Sequence, residues 1–431
     1  MKKFASILTA SALILALLVG CGGNQAPAGS GSSPAATNTA AGPKTQITFM
    51  VIDSFTKNED DAIFTAEKEF EAANPDIDVV IEPVPATNIK DKFTNAALAG
   101  GGPDIVSLDT GGWIVDAAAI GILLDVSDRI TPIRDQFQPG PIEAGIYNGQ
   151  CYAVPWYLNN SALYYNNSIL REAGLEKPPA TWDEFADALE KISSTGRKCL
   201  STTITAAYSM YPFFFQNGCD VIDTSGELPI SVLDTPEALE AFTFFTDIHT
   251  KYNGFPESTK DALTWDQVYA PFIQGEAAFM ICGDWGYNAV AEGNPELDFG
   301  IAPLPKGKSA ASVMGGYSLC INKNTANADA AWKFVEFLTS AEQNDVLLDY
   351  GRIGARVDID SEALIEMMPY LETFVEQAAV TYPRPGIKAL ADADNIFGTA
   401  FQEVYLGNAD PEQALLKAHE EINALLQEKY A

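Results

Sequence analysis

Reactive chemistry is scarce in this sequence. Histidine occurs twice in 431 residues, as His249 and His419, and neither belongs to an HExxH or another metal-ligand cluster. None of the six cysteines forms a CxxC pair, which argues against zinc-type and redox-motif sites. No GxSxG elbow, P-loop or GxGxxG occurs. Ser54-Phe55-Thr56-Lys57 fits SxxK without its companion motifs, and Asp358-Ile359-Asp360 lacks the glycine of an EF-hand loop. Carboxylates are too numerous for any pair to stand out as a glycosidase dyad. Catalysis is therefore disfavoured, and no metal or cofactor is expected. Positive charge is also short: 26 Lys and Arg face 58 Asp and Glu, a net charge of −32. Such a polyanion repels nucleic acid and acidic lipid. Aromatic residues at 10% and hydrophobic residues at 47% exclude a disordered chain.

Long apolar runs are missing too, with one exception at the start. Lys2 and Lys3 precede an almost wholly apolar or small stretch from Phe4 to Val19. This order of basic, apolar and small residues is that of a secretory signal. Leu18-Val19-Gly20-Cys21 resembles the lipobox of bacterial lipoproteins, which implies cleavage before Cys21 and lipid on its thiol. A membrane-spanning anchor is the alternative, but a span needs about 20 apolar residues. Residues 1–20 are thus expected to be a signal peptide. Residues 21–43, rich in Gly, Ser, Ala and Pro, are expected to be a lipidated flexible tether. Without the signal the net charge becomes 24 − 58 = −34, which serves solubility. Five cysteines then remain (Cys151, Cys199, Cys219, Cys282, Cys320), an odd number whose pairing spacing cannot assign.

From Lys44 onward the chain is long enough for two ordinary domains. Gln46–Ile52 alternates as a strand, with Ile47, Phe49 and Val51 on one side. Asn58–Ala73 is a helix stopped by Asn74-Pro75. Ile77–Val84, Asn88–Ala99, Ile105–Leu108 and Trp113–Ala119 continue as strand, helix, strand, helix. That order predicts an α/β fold with a parallel sheet. Later segments are mostly helical, with capping signals at Thr181/Glu184 and Asp410/Gln413. Phe299–Ile301 and Tyr317–Ile321 read as strands.

Several segments, in order, resemble one family. They include Gly102-Pro103-Asp104-Ile105-Val106, Tyr147-Asn148-Gly149-Gln150-Cys151-Tyr152-Ala153-Val154-Pro155-Trp156-Tyr157 and Thr181-Trp182-Asp183-Glu184-Phe185. Phe272 to Met280, Gly283-Asp284-Trp285, Ile301 to Gly307, Gly315-Gly316-Tyr317 and the tail from Pro411 follow. Each is weak alone, but together they span nearly the whole mature chain. The chain is similar to the sugar-binding proteins of ATP-driven (ABC) importers, the family that includes the maltose-binding protein. The resemblance implies two α/β lobes joined by chain crossings, with residues 44–153 plus 315–352 in one lobe and 154–314 plus 353–431 in the other. It implies a ligand held by hinge closure, transmembrane permease subunits as partners, a monomer, and lipid anchoring on the outer face of the cytoplasmic membrane.

A sugar has an apolar face suited to flat rings and a hydroxyl rim suited to charged hydrogen-bonding groups. The resemblance makes Trp285 the expected stacking ring, with Trp265 as a second ring. Asp109 and Thr110 follow the third strand, with Trp113 nearby. Trp156, Tyr157 and Asn159 sit at the first crossing, Asn159 where many relatives carry Asp. Gly315 and Gly316 offer close backbone approach. Arg356, with Arg352 as runner-up, lies where the family often has a ligand-facing arginine, and Asp394 completes the set. A polyol, a sugar acid (through Arg352, Arg356 or Arg384), a phosphorylated solute or a peptide are alternative ligands. A lipid-anchored hydrolase and a surface receptor without transport are alternative roles.

Overall fold

A computed structural model describes residues 44–58, 60–204, 206–260 and 264–431. The expected signal segment, Cys21 and the tether lie outside these residues. The described part opens with strands β1 (Thr45–Ile52), β2 (Ile77–Val84) and β3 (Ile105–Asp109), interleaved with helices α1 (Ala62–Ala73) and α2 (Ile89–Leu98) and followed by α3 (Trp113–Ala119). β1 pairs in parallel with β2 along its whole length and with β3 beside Phe49 and Met50. Helix α1 starts four residues later than the periodicity predicts. The Asp61 carboxylate instead accepts from the Asn58 backbone N–H and Nδ2, closing a turn there.

The chain continues through β4 (Val154–Asn166), α4 (Trp182–Ser194), β5 (Lys198–Ser201), α5 (Pro236–Thr250), α6 (Trp265–Ile273), β6 (Ala277–Gly283), β7 (Phe299–Ala302), β8 (Ser312–Ile321), α7 (Ala328–Leu338), α8 (Leu390–Tyr405) and α9 (Pro411–Tyr430). The sheet order is β2-β1-β3-β8-β4-β6-β5, with β7 also on β4. Strand β4 ties the halves together. Its first part pairs with β8, from Leu319↔Val154 to Met314↔Asn160, and its second part with β6, from Gly283↔Ser161 to Phe279↔Tyr165.

Two main cores lie on either side of that crossing. One draws on residues between Ile47 and Tyr157 and between Leu319 and Ala355. The other draws on residues between Leu163 and Val313 and between Ile387 and Leu426. In the second lobe the sheet is covered on both faces. Leu163 and Ile281 point into the main core, while Ala162, Tyr164, Met280 and Cys282 point into a third cluster with Phe272 and Phe374. Side chains alternate across a strand, so a strand covered on both faces reads as a continuous apolar run, and all seven residues of β6 are buried. The helix starts behave as the capping signals predict: Thr181 Oγ1 accepts from the Glu184 N–H and the Asp410 carboxylate from the Gln413 N–H. Cys151, Cys199, Cys219, Cys282 and Cys320 are all free thiols.

Candidate functional site

The site begins where buried strands end. β3 finishes in Asp109, and β6 runs straight into Asp284 and Trp285. Both carboxylates emerge at carboxyl ends of sheet strands, where α/β folds place ligands. Asp284 is buried. Its Oδ1 accepts the Trp285 N–H at 2.8 Å, and its Oδ2 has no partner among the described residues. Burial pushes its carboxyl up to about 7 against the opposing pull of Arg352. Arg352, also buried, lies 5.9 Å from the Tyr157 ring centroid and donates from Nη1 to the Tyr350 carbonyl at 3.3 Å. It makes no ion pair among the described residues, and its Nε is unpartnered. Leaving such groups unsatisfied costs about 1–3 kcal/mol each, a penalty that an incoming polar group would remove.

Aromatic rings stand beside these atoms. The Trp285 ring folds back over Gly283, where a Cβ would lie 1.8 Å from Cζ3. Only glycine permits that pose. Trp265 meets Trp285 edge-on at 5.0 Å and stacks on Tyr269, and Tyr208 lies 6.2 Å from Trp285. The Trp285 Nε1–H is buried and unpartnered. Tyr157 and Tyr317 stack at 5.6 Å on the first-lobe side, with Trp113 edge-on to Tyr317 at 6.4 Å.

A second arginine spans the lobes. Arg384, from the second lobe, donates from Nη2 to Asp109 Oδ1 at 2.6 Å and from Nη1 to Asp394 Oδ2 at 3.3 Å. Its guanidinium lies 5.3 Å from the Tyr208 ring centroid. Tyr211 donates to Asp394 at 2.8 Å, and burial pushes that carboxyl up to about 6.

Trp285 and Trp265 meet each other, Asp109 meets Arg384 across the lobes, Arg352 lies over the Tyr157 ring, Asn159 lies against Gly315, and Trp113 packs on Tyr317 near the seam. Tyr157 itself is buried among Phe55, Trp156 and Tyr317 and so lines the site from the core. The structure corrects other expectations. Trp156 is core: it is buried, stacks on Phe55 at 4.7 Å and packs edge-on to Phe49. Arg356 grips both oxygens of Asp358 at 2.7 Å and donates to Gln136 and the Thr339 carbonyl, so its donors are spent inside the protein. Thr110 donates through its N–H and hydroxyl to the Gly316 carbonyl. Gly315 and Gly316 are approached closely by the chain itself: a Cβ would lie 2.3 Å from Asn159 Oδ1 and 2.2 Å from the Tyr157 carbonyl oxygen, respectively. Asp394 is already held by Tyr211 and Arg384. The sequence analysis gave no role to Asp284, which it quoted only within Gly283-Asp284-Trp285, or to Tyr208, which no motif marks. Arg384 entered only as a possible acid-sugar contact, although its Pro-Arg-Pro setting signals a stiff, directed side chain.

Two lobes hinged on continuous strands, with unpartnered donors and an acceptor beside flat rings between them, define a solute-binding protein that works by closure. The chain belongs to the bacterial extracellular solute-binding protein family, whose sequence profile matches residues 56–345. Among its relatives, the maltotriose-binding protein of Pyrococcus abyssi is 29% identical over 377 residues, covering 85% of this chain and 79% of that one. A maltooligosaccharide ABC transporter solute-binding lipoprotein of Streptococcus pneumoniae is 24% identical over 402 residues, covering 90% and 89%. An ABC transporter solute-binding protein from Thermotoga lettingae, solved with α-D-tagatose, superposes with a TM-score of 0.78 at 26% identity, covering 89% of this chain and all of that one.

Proposed function

We propose that this protein captures a sugar between its lobes and delivers it to the membrane permease of an ABC importer. The observation that carries the reading is the Trp265–Trp285 corner set beside three unpartnered atoms, Asp284 Oδ2, Arg352 Nε and Trp285 Nε1. Trp285 supplies a ring for the apolar face of a sugar, while Asp284 accepts from its hydroxyls and the two N–H groups donate to its oxygens. The saccharide ligands named for the relatives point the same way. Lobe closure completes contacts that neither lobe makes alone, so ligand selects the closed form. The chain acts by binding, without turnover. Arg352, which makes no ion pair among the described residues, makes a sugar acid the second reading.

The test is a thermal-shift screen of residues 44–431 against monosaccharides, oligosaccharides, sugar acids, polyols and peptides. A ligand at 100 times its Kd stabilises the native state by about 2.7 kcal/mol, a rise of a few degrees in Tm. A response to peptides alone would overturn the sugar reading.

We also propose that residues 1–20 direct export and that lipid on Cys21 anchors the protein, as a monomer, to the outer face of the cytoplasmic membrane. The signal-like order of residues 1–21 supports this, and the lipoprotein among the relatives agrees with it. Cys21→Ser should move the protein from the membrane fraction into the medium or periplasm, and unchanged fractionation would refute the anchor.

A further inference from the structure

On one side of the cleft the lobes touch through two glycines. Gly111 and Gly112 follow Asp109 at the end of β3. A Cβ on Gly111 would lie 1.6 Å from Arg384 Nη2, and one on Gly112 would lie 2.7 Å from Leu390 Cβ. The missing side chains let the second lobe press directly onto the first. The Ala389 N–H donates to Asp116 Oδ1 at 2.7 Å in the same seam. Arg384 fills its inner edge, held by Asp109 from one lobe and Asp394 from the other, with Tyr208 beside its guanidinium. Tyr208 in turn borders Trp285. Arg384, Tyr208, Trp285 and Trp265 therefore form one continuous row of contacts leading from the lobe seam to the tryptophan corner.

We infer that Arg384 is a specificity-determining residue that blocks the cleft at the lobe seam and so disfavours long saccharide chains. This rests on the sugar reading above. A long oligosaccharide must leave the cleft at one end or the other. At the seam it would have to displace a guanidinium that bonds two carboxylates, one on each lobe. The Arg384 Nε–H, unpartnered among the described residues, remains available to a terminal hydroxyl. The gate depends on shape as much as on charge. Gly111 has ordinary backbone angles, so alanine there displaces Arg384 while every charge stays in place.

The test is calorimetric titration of the mature protein with glucose, galactose, mannose, xylose and arabinose and their linear oligomers of two to five units. Arg384→Gln and Gly111→Ala are titrated alongside, with circular dichroism to confirm folding. Wild type is expected to bind four- and five-unit chains at least tenfold more weakly than its best mono- or disaccharide. Gly111→Ala should raise long-chain affinity at least fivefold, and Arg384→Gln, where folded, should do the same. Equal or tighter binding of long chains by wild type overturns the gate and leaves the sugar reading intact, as does an unchanged length preference in folded Gly111→Ala. Absence of binding by every saccharide overturns the sugar reading and the gate with it.

Discussion

Two arginines at the cleft, Arg352 buried and Arg384 nearly so, stand in different conditions. Arg384 is charge-compensated: two carboxylates, one from each lobe, neutralise it through Nη1 and Nη2, Tyr211 braces one of them, and Nε alone is left unpartnered among the described residues. Arg352 faces Asp284 without an ion pair among the described residues, and an atom of each is left unpartnered among them. Satisfied buried charge holds a structure together, whereas unsatisfied buried charge is destabilising unless something else completes it. The first arginine therefore bridges the lobes and offers the ligand at most its Nε–H, while the second has no carboxylate to hold it and is left for the ligand to complete. Methionine substitution separates them most strongly. Arg384→Met leaves Asp109 and Asp394 uncompensated and should cost about 3–5 kcal/mol, read as a large fall in Tm or in the denaturant midpoint. Arg352→Met removes a poorly paired buried cation. It should change stability by less than about 1 kcal/mol while weakening ligand at least tenfold, about 1.4 kcal/mol. Equal stability losses in the two variants would erase the distinction.

The tryptophans repeat the contrast at smaller scale. Trp156 is locked among Phe49, Phe55 and Tyr157, so Trp156→Ala should cost about 3–5 kcal/mol of stability with Tm as the readout. Trp285 is half-buried at the cleft, so Trp285→Ala should leave Tm within a few degrees and cut ligand affinity at least tenfold, about 1.4 kcal/mol. Affinity unchanged in Trp285→Ala would remove the stacking platform.

These contrasts also mark where sequence reading stops. The first strands and helices were legible because their signals are local: Ile47, Phe49 and Val51 alternate, and Asn74-Pro75 stops a helix whatever packs on it. The parallel order of β1, β2 and β3 followed from the alternation of those elements. Side-chain roles in the cleft depend on partners far along the chain. Trp156 and Trp285 are the same residue type beside strand boundaries, and what makes Trp156 core is Phe55, about a hundred positions away. Arg352 and Arg356 stand four apart, yet Arg356 is consumed by Asp358 and by Gln136, 220 positions distant. Of these links only Arg356–Asp358 was close enough in sequence to be anticipated. Tyr208 reaches the cleft through folding alone. Asp284 carries a usable signal, a charged residue directly after an all-apolar strand.

Titration sharpens the comparison further. The Asp284 carboxyl, ordinarily near 3.8, is pushed up to about 7 by burial. Its surroundings are Arg352 and the neutral side chains of Tyr157, Tyr164, Tyr208, Tyr370 and Cys282. Between those two pH values the native state keeps a proton that the unfolded chain has released. Stability contributed by this group therefore falls as pH rises from about 4 to about 7 and is level above that, with a slope of at most about 1.4 kcal/mol per pH unit. Asp394, pushed up to about 6 between Arg384, Asp109 and Tyr211, acts in the same direction over a narrower range. Asp284→Asn abolishes the first contribution and leaves the second. Its Tm should decline less steeply than wild type between pH 5 and 7, and its advantage should be largest near pH 8. If the two proteins show parallel Tm profiles across that range, Asp284 is not the strained acceptor that its unpartnered oxygen implies, and the ligand-facing end of the cleft must be sought around Trp265 and Tyr269 instead.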